Sequence, residues 1–469
     1  MTRVLLTGAG GFLGAHLLTH LLATTDWDVV ATDSFRHRGK TDRIAEVLAV
    51  DAWQSRRVSV LTHDLTVPFS EQAVATIVGN DGAGVDHIFH VASESHVDRS
   101  ISDPVPFVTN NVAITLTVLE LARRLRPTTV VQVSTDEVYG PAADGTAHAE
   151  WSTILPSNPY SASKAAQEAI GFSYWRTFGV PLVVVNAMNL IGERQDVEKF
   201  VPLLISGISR RVEVEIHGAP GAVGSRFYLH ARNLADAIIF LARRGAPAVY
   251  TPDGAVDRPD RFNVVGEREI DNLALAELVA TAVGRPLRYR FRDFHATRPG
   301  HDRRYALDGA KLAALGWAPP VPLEESLRRT VAWTLDHPAW LLTAPPVGAV
   351  AIAPERAAPE RAPAAPTALY EDRSDKIGEV TDPDPEPKRE SDPEPQPERE
   401  PRRPEVADTE MPPPPEPPIA TGPPPWMRPA TPTPWQASLP SRPTTVTPET
   451  PAERAGRNGT GGRRRRPTR

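Results

Sequence analysis

The chain has 469 residues, of which 50 are Pro and none is Cys, and its 52 basic and 58 acidic side chains leave a formal net charge of -6. The absence of Cys excludes a disulfide-stapled secreted scaffold, a thiolate metal site and a cysteine nucleophile; we predict no metal site, and a reducing cytoplasm is the simplest location. The mild acidity argues against a nucleic-acid binder, and the lack of any run approaching ~18 apolar residues argues against a membrane span.

Residues 1–342 alternate short apolar strands with amphipathic helices, a pattern typical of an α/β domain with a parallel sheet. The first half of this region predicts strands at residues 4–6, 29–32, 58–61, 86–92 and 129–134, and helices at 12–22 and 105–126. After Pro181 the pattern loosens, with strands at 212–216 and 262–265 and helices at 273–283 and 323–335. We therefore predict a Rossmann-type doubly wound parallel sheet over residues 1–185, with a return of the chain at about 226–250, and a smaller α/β substrate-binding lobe over 186–345.

The remaining residues differ in composition, because 31 of the 50 Pro lie in residues 343–469. Residues 371–410 hold 15 acidic and 7 basic side chains, and residues 463–466 are all Arg. Such a chain cannot bury enough apolar surface to offset its conformational entropy. We expect residues 346–469 to be a disordered tail. It could serve as a solvated tether, as a docking peptide for a protein partner that recognises proline, or as a contact for a polyanion.

A glycine-rich turn, TGAGGFLG, follows the first strand at residues 7–14 and opens the first helix. Gly8, Gly11 and Gly14 allow a tight turn, close approach of the backbone to a pyrophosphate and close packing of the helix on the strand. The helix amino terminus supplies free N–H groups to the anion. The turn therefore predicts a dinucleotide site.

Asp33 ends the second strand, 19 residues after Gly14. A carboxylate at this position accepts hydrogen bonds from both ribose hydroxyls and repels a 2′-phosphate, which predicts NAD rather than NADP. The nearby Arg36 and Arg38 argue against the choice of NAD over NADP. Asp64 ends the third strand and either meets the adenine or caps a helix.

Two further motifs carry candidate acid–base chemistry. Tyr160 and Lys164 lie four residues apart on one helix face, and a tyrosine base needs nearby positive charge because its ordinary pKa is about 10. Thr135, Asp136 and Glu137 follow a predicted central strand, at the edge where open α/β sheets bind ligands. Two adjacent carboxylates can supply one acid and one base if their environments separate their pKa values.

Residues 1 to about 340 resemble the extended short-chain dehydrogenase/reductases and, within them, the dTDP-glucose 4,6-dehydratases. The segments that carry the resemblance are residues 7–14, 90–100, 134–140, 158–164 and 298–305. The resemblance implies an NAD-dependent hydro-lyase acting on a nucleotide sugar, such as dTDP-glucose.

The resemblance also implies individual roles. Tyr160 would take the proton of the sugar 4-hydroxyl held by Thr135, while Glu137 would remove the C5 proton and Asp136 would protonate the departing 6-hydroxyl. Lys164 would bind the nicotinamide ribose. The implied cofactor contacts are Gly8, Gly11, Phe12, Leu13, Gly14, Asp33, Asp64, Leu65, Ala92, Tyr160 and Lys164. The implied substrate contacts are Asn189, Lys199, Arg226, Asn263 and Arg298. A homodimer through the helices at 105–126 and 160–178 is implied as well.

One departure from the family lies beside the expected substrate site, where the usual Asn-Asn-Tyr-Gly-Pro is replaced by NLIGE at residues 189–193. This replacement changes one wall of the pocket.

Two other functions are open. One is a nucleotide-sugar 4-epimerase or uronate decarboxylase on the same scaffold, and the other is a non-catalytic NAD-binding module that presents the tail. Asp136 and Glu137 argue against the epimerase and the decarboxylase. The full set of catalytic side chains argues against the non-catalytic module.

Overall fold

The computed structural model of the chain describes residues 1–79, 82, 84–246, 248–250, 256–293 and 302–341. The expected tail at 346–469 and the predicted substrate contact Arg298 lie outside the described residues.

The strands are β1 (Arg3–Thr7), β2 (Asp28–Asp33), β3 (Val58–Thr62), β4 (His87–His90), β5 (Thr129–Thr135), β6 (Leu182–Ala187), β7 (Leu190–Ile191), β8 (Val214–Ala219), β9 (Ala222–Val223), β10 (Ser225–Arg226), β11 (Leu229–His230), β12 (Ala248–Tyr250), β13 (Val256–Val264), β14 (Ile270–Asp271) and β15 (Tyr289–Arg292). The helices are α1 (Phe12–Thr24), α2 (Thr41–Ala49), α3 (Ala52–Ser55), α4 (Glu71–Val78), α5 (Val97–Ser102), α6 (Pro104–Leu125), α7 (Pro159–Phe178), α8 (Phe200–Ser209), α9 (Ala231–Ala242), α10 (Asn272–Val283), α11 (Ala310–Ala314) and α12 (Leu323–Asp336). Short 3-10 helices span Asp136–Tyr139 and Pro338–Leu341.

The main sheet has seven parallel strands in the order β13-β6-β5-β4-β1-β2-β3, with β12 added antiparallel at the β13 edge. From β1 the chain builds outward through β2 and β3, and then returns to place β4 on the other side of β1. The predicted Rossmann-type doubly wound fold is confirmed. The crevice where the strand order reverses, between the ends of β1 and β4, is where such sheets bind ligands.

Alternate side chains of the strands pack into helices on opposite faces of the sheet, as the two-residue period of a strand requires. Val4 and Leu6 of β1 belong to a cluster with α1 and α9, whereas Leu5 packs in a second cluster with α6. Both faces of β1 are therefore buried, which explains why this strand is a continuous apolar run.

A separate apolar cluster lies around α8, β8, α10 and α12, with Ile205, Ile216 and Leu275 at its centre. The expected boundary between residues 185 and 186 falls inside β6, and the strand predicted at 262–265 belongs to the main sheet beside β6 rather than to a second lobe. Two buried charges in β13 obscured its pattern: Asp260 pairs with Lys311, and Arg261 pairs with a carboxylate of α7.

Among the described residues, α6 is long and apolar enough to cross a membrane by length and composition, with a mean hydropathy of 1.4 in its most apolar window. Thr and Asn side chains interrupt the apolar residues of α6, so this helix is not an unbroken apolar run. Its Ile114, Val118 and Leu119 side chains are buried against the sheet. The length of α6 is thus accounted for by its role as a crossover helix between parallel strands.

Candidate active site

The glycine-rich turn lies at the carboxyl end of β1. Gly8 has a φ of +70°, and a side chain there would meet the backbone of Ala92 at 2.8 Å. A Cβ on Gly14 would lie 2.0 Å from the carbonyl oxygen of Gly8, so only glycine allows this packing of α1. Gly11 precedes α1 and has no side chain that could cap the helix. The first N–H groups of α1 therefore remain available to an anion. The turn therefore fits a pyrophosphate.

Asp33 lies beside the turn at the end of β2. Its carboxylate accepts hydrogen bonds from the N–H groups of Gly10 at 3.0 Å and Phe35 at 2.9 Å. These bonds fix the orientation of the carboxylate while leaving it further lone pairs for ribose hydroxyls. Of the other predicted cofactor contacts, Leu13 and Leu65 lie in the clusters on opposite faces of the sheet.

The two arginines that counted against NAD are paired with carboxylates. Both terminal nitrogens of Arg36 lie 2.8 Å from Asp64 oxygens, and Arg38 pairs with Glu198. Asp64 also accepts from the N–H and hydroxyl of Thr66, so its side chain caps a turn as well as binding Arg36. Neither arginine presents an unpaired guanidinium that would select a 2′-phosphate.

Asp136 lies directly after β5 and is 3% exposed. One of its oxygens accepts from the hydroxyl of Thr135 at 2.8 Å, and the other is buried without a hydrogen-bond partner. Burial, and then the charge of neighbouring Glu137, raise the pKa of Asp136 to about 7. A carboxyl group in this state is protonated over part of the physiological range and can act as an acid.

Glu137 has a different environment, because two side chains donate to one of its oxygens. Asn158 donates through its amide nitrogen at 3.2 Å, and Tyr305 through its hydroxyl at 3.4 Å. Burial and the charge of Glu137 raise the pKa of Tyr305, so its hydroxyl keeps its proton and acts as a donor. Asn158 and Tyr305 lie in segments that carry the family resemblance, but the sequence alone predicted no role for either residue.

Tyr160 and Lys164 lie in the first two turns of α7, which Asn158 begins with a capping box. Burial, and then the charge of Glu137, raise the pKa of Tyr160, while its hydrogen bond with Thr135 acts in the opposite direction. Burial lowers the pKa of Lys164 to about 8, and its ammonium donates to the Val133 carbonyl at 2.7 Å. The expected lowering of the tyrosine pKa by Lys164 is therefore not present in the protein alone.

Arg226 is brought close to the two carboxylates. Its guanidinium stacks on the ring of Tyr305 at 4.5 Å and donates to the carbonyls of Ser225, Asp302 and Arg303, each at 2.6 Å. Its charge also acts on Asp136, where it lowers the pKa. The predicted substrate role of Arg226 is compatible with this position and stays a prediction.

The other predicted substrate residues differ in their surroundings. Asn189 has a buried side-chain oxygen without a hydrogen-bond partner, and Lys199 donates to the Ser95 carbonyl at 3.2 Å. Asn263 is fully buried, and its amide nitrogen donates to the carbonyls of His148 and Asp308. The protein itself thus uses both donors of Asn263. Its contact with substrate stays a prediction.

Three buried side chains group behind the turn, where ligand atoms of His16, Glu193 and His230 all lie within 4.8 Å of one another. The Nδ1 atom of His230 accepts the N–H of Arg232 at 3.0 Å, so in the neutral ring Nε2 carries the proton. That Nε2 atom lies 3.1 Å from a Glu193 oxygen. A protonated nitrogen offers no lone pair to a metal, and we interpret the cluster as an ion-pair and hydrogen-bond anchor.

Comparison with known proteins agrees with this geometry. The model of the NAD dependent epimerase/dehydratase family matches residues 4–251. The chain belongs to this family. The NAD dependence of the family confirms the predicted cofactor, and the family itself confirms the resemblance found in the motifs.

Individual relatives are similar over most of the described region. dTDP-glucose 4,6-dehydratase 1 of Escherichia coli (strain K12) is 30% identical over 365 residues, covering 72% of this chain and 94% of that protein. The dTDP-glucose 4,6-dehydratase of Streptomyces antibioticus is 33% identical over 341 residues, with the same coverage. Among solved structures, the NAD-bound dTDP-glucose 4,6-dehydratase DesIV of Streptomyces venezuelae has a TM-score of 0.61 at 30% identity, covering 72% of this chain and 98% of that one. The NAD complex of a Thermus thermophilus UDP-glucose 4-epimerase has a TM-score of 0.59 at 26% identity, covering 71% and 98%.

Proposed function

We propose that the protein is an NAD-dependent nucleotide-sugar 4,6-dehydratase, a hydro-lyase acting on dTDP-glucose or a similar nucleoside diphosphate hexose. The overall reaction is oxidation at C4, elimination of water across C5 and C6, and reduction at C6. NAD, when bound, supplies the hydride acceptor for the first step and the hydride donor for the last. The similarity to dTDP-glucose 4,6-dehydratases supports this reaction. Because a 4-epimerase has a similar structure, the acid–base groups must distinguish a dehydratase from an epimerase.

Each chemical step requires one side chain of this site. Tyr160, close to Thr135, would accept the proton of the sugar 4-hydroxyl in its phenolate form as C4 is oxidised. Because the protein alone raises the pKa of Tyr160, this form would require the positive charge that bound NAD supplies. The resulting 4-ketone acidifies the hydrogen at C5, and Glu137 removes that proton. Asp136 protonates the departing 6-hydroxyl, which leaves as water. Lys164 would bind the nicotinamide ribose.

The different environments of the two carboxylates carry the proposal. Asp136 is buried with one oxygen unpartnered and a pKa raised to about 7, whereas Glu137 accepts hydrogen bonds from Asn158 and Tyr305. Burial raises the pKa of Asp136 despite its one hydrogen bond from Thr135, and a carboxyl group with a raised pKa is suited to donate a proton. Of the pair, Asp136 is therefore suited to be the acid and Glu137 the base, and an epimerase needs neither.

The first test is mass spectrometry of products from a panel of nucleotide sugars. A dehydratase removes the mass of one water molecule, an epimerase leaves the mass unchanged, and a uronate decarboxylase removes carbon dioxide. We expect the loss of water from at least one nucleoside diphosphate hexose. An unchanged mass for every sugar that binds, or loss of carbon dioxide, would overturn the proposal.

The second test separates oxidation from elimination. Asp136→Asn and Glu137→Gln should still form NADH transiently, seen by its absorbance, while product formation falls by about 10²- to 10⁴-fold, as is usual when a general acid or base is removed. Tyr160→Phe should suppress the NADH signal itself. Near-native dehydration by both carboxylate variants would show that the assigned roles are wrong.

A further inference from the structure

Side-chain contacts connect the loops that follow β2 and β4. In the sheet these two strands flank β1, so the glycine turn lies between the two loops. His37, in the loop after β2, lies 2.8 Å from a carboxylate oxygen of Glu94, in the loop after β4. This contact therefore spans the crevice in front of the turn.

Residues 193–199, here called the bridging segment, contact the first of these loops and the helix after it. Arg43 of α2 is fully buried; its guanidinium donates to the Arg194 carbonyl at 2.8 Å and lies 3.1 Å from Asp196. The same guanidinium donates to the carbonyl of Gly10 in the glycine turn at 3.2 Å. Arg194 in turn bonds Glu46 at 2.6 Å. One side of the bridging segment is thus tied to the turn and to α2.

The end of the bridging segment reaches both loops at once. Glu198 pairs with Arg38 from the loop after β2, and it lies 3.5 Å from His96 and 3.9 Å from Arg99 in the segment after β4. Lys199 donates to a carbonyl of the same segment. A single carboxylate therefore joins the two sides of the crevice.

The start of the bridging segment is held by the cluster around Glu193. Its carboxylate oxygens lie 3.8 Å from His16 of α1, 3.1 Å from His230 and 3.5 Å from Arg232. Burial raises the pKa of Glu193, but its hydrogen bond with His230 and the charges of His230 and His16 outweigh this effect and hold the pKa well below its usual range.

We propose that residues 193–199 act as an ionic strap across the cofactor crevice, which slows the release of NAD. A segment bonded to the loops after β2 and β4 must pass over the end of β1, where the glycine turn would hold the pyrophosphate of NAD. The ion pair that Glu198 of the strap forms with Arg38 is partly open to solvent, because the two side chains are 20% and 45% exposed. This ion pair therefore weakens as salt increases. Retention suits a reaction that regenerates its cofactor in every turnover, but the proposal does not depend on which sugar reacts.

The test is the dissociation rate of NAD from Arg38→Gln. Full-length protein loaded with isotopically labelled NAD is mixed with excess unlabelled NAD, and the retained label is measured over time at low and high salt. Loss of one exposed ion pair should speed release about two- to fivefold at low salt. Because salt already weakens the pair in the unmodified protein, the difference should shrink at high salt. Glu198→Gln removes three contacts and should release NAD faster still.

Arg36→Gln is the matched control. It removes the same charge from the same loop, two residues away, but Arg36 pairs with Asp64 and does not cross the crevice. We expect its release rate to stay within about twofold of the unmodified protein, with the same salt dependence. Release from Arg38→Gln at the unmodified rate, or an equal effect of Arg36→Gln, would overturn the strap. Either result leaves the dehydratase proposal untouched, since that depends on product mass.

Discussion

The raised pKa of Asp136 makes the folding free energy depend on pH. In the unfolded chain this carboxyl has its ordinary pKa of 3.8, and in the folded protein its pKa is about 7. Between these values the folded state binds more protons than the unfolded state, so stability falls as pH rises from about 4 to about 7. Above that range the folded protein carries the full cost of the buried charge.

Asp136→Asn should therefore stabilise the protein at pH 8 and have little effect near pH 4. Each unit of pKa shift corresponds to about 1.4 kcal/mol, which places the gain at pH 8 at ~1–4 kcal/mol. Denaturant melts at several pH values measure it. Asp51→Asn is the control, because Asp51 is an exposed helix cap that Asn can replace. A gain that does not change with pH would contradict the origin assigned to it.

The glycine turn is the element on which cofactor binding depends. A Cβ at residue 14 would overlap the carbonyl oxygen of Gly8 at 2.0 Å, and backbone cannot move aside as a side chain can. We expect Gly14→Ala to cost about 1–3 kcal/mol of stability, the usual cost of overpacking, and to weaken NAD binding at least tenfold. Calorimetric titration with NAD and thermal melts check both effects.

Gly10→Ala is the appropriate comparison within the same turn. Its Cβ would meet a ring atom of Phe35 at 2.8 Å, and that side chain can rotate away; the nearest backbone atom, the nitrogen of Lys40, lies at 3.2 Å, much farther than the 2.0 Å at Gly14. We expect a smaller loss of NAD affinity than for Gly14→Ala. Equal losses of NAD affinity from the two substitutions would show that the clash with the Gly8 carbonyl is not the reason why the turn rejects alanine.

Sequence patterns predict an element well when burial alone determines its residues. The continuous apolar runs of β1, β2 and β5 predicted the positions of these strands to within a few residues, because both of their faces are covered by helices. In β13 the apolar signal was confined to its end. Arg261 is 1% exposed and paired with Glu168, which is 93 residues away in the chain. Local spacing carries no information about such a partner.

In the active site, too, the sequence predicted the groups that are close in the chain and missed the contacts that only the fold creates. Tyr160 and Lys164 share one helix and Thr135 to Glu137 are contiguous, so spacing predicted these groups. The contact of Tyr305 with Glu137 joins residues 168 positions apart and depends on the fold. The raised pKa of Asp136 likewise depends on burial that only packing creates.

At the scale of the whole molecule, we expect a homodimer formed through α6 and α7. Val105, Val108 and Leu116 are exposed on one side of α6 at 67%, 36% and 39%, and Phe178 at the end of α7 is 45% exposed. This stripe lies beside the face of α6 that packs on the sheet, and covering it requires another surface. Light scattering should give the mass of two chains. Leu116→Arg should shift the mass toward one chain, whereas a monomeric unmodified protein would refute the dimer.

We also expect residues after Ala344 to be dispensable for catalysis. The described fold ends at Leu341, whose side chain is 9% exposed in the cluster around α8 and α10, and whose carbonyl accepts a hydrogen bond from Arg210. Downstream, the interleaved proline and charge of the sequence give few groups that can pack on a core. A chain cut after Ala344 should match the full protein in turnover, Michaelis constant and melting temperature. Its hydrodynamic radius should be markedly smaller.

A second cut, after Asp336, tests whether the boundary has been placed correctly. It removes the 3-10 helix Pro338–Leu341, in which Trp340 lies over the ammonium of Lys40 at 4.5 Å. Lys40 donates its N–H to the carbonyl of Gly10, so this helix supports the loop that carries the glycine turn. The shorter chain should melt at a lower temperature and bind NAD more weakly, while the cut after Ala344 does neither. A large loss of turnover from the cut after Ala344 would mean that the tail acts on the active site, and its description as a tether would be wrong.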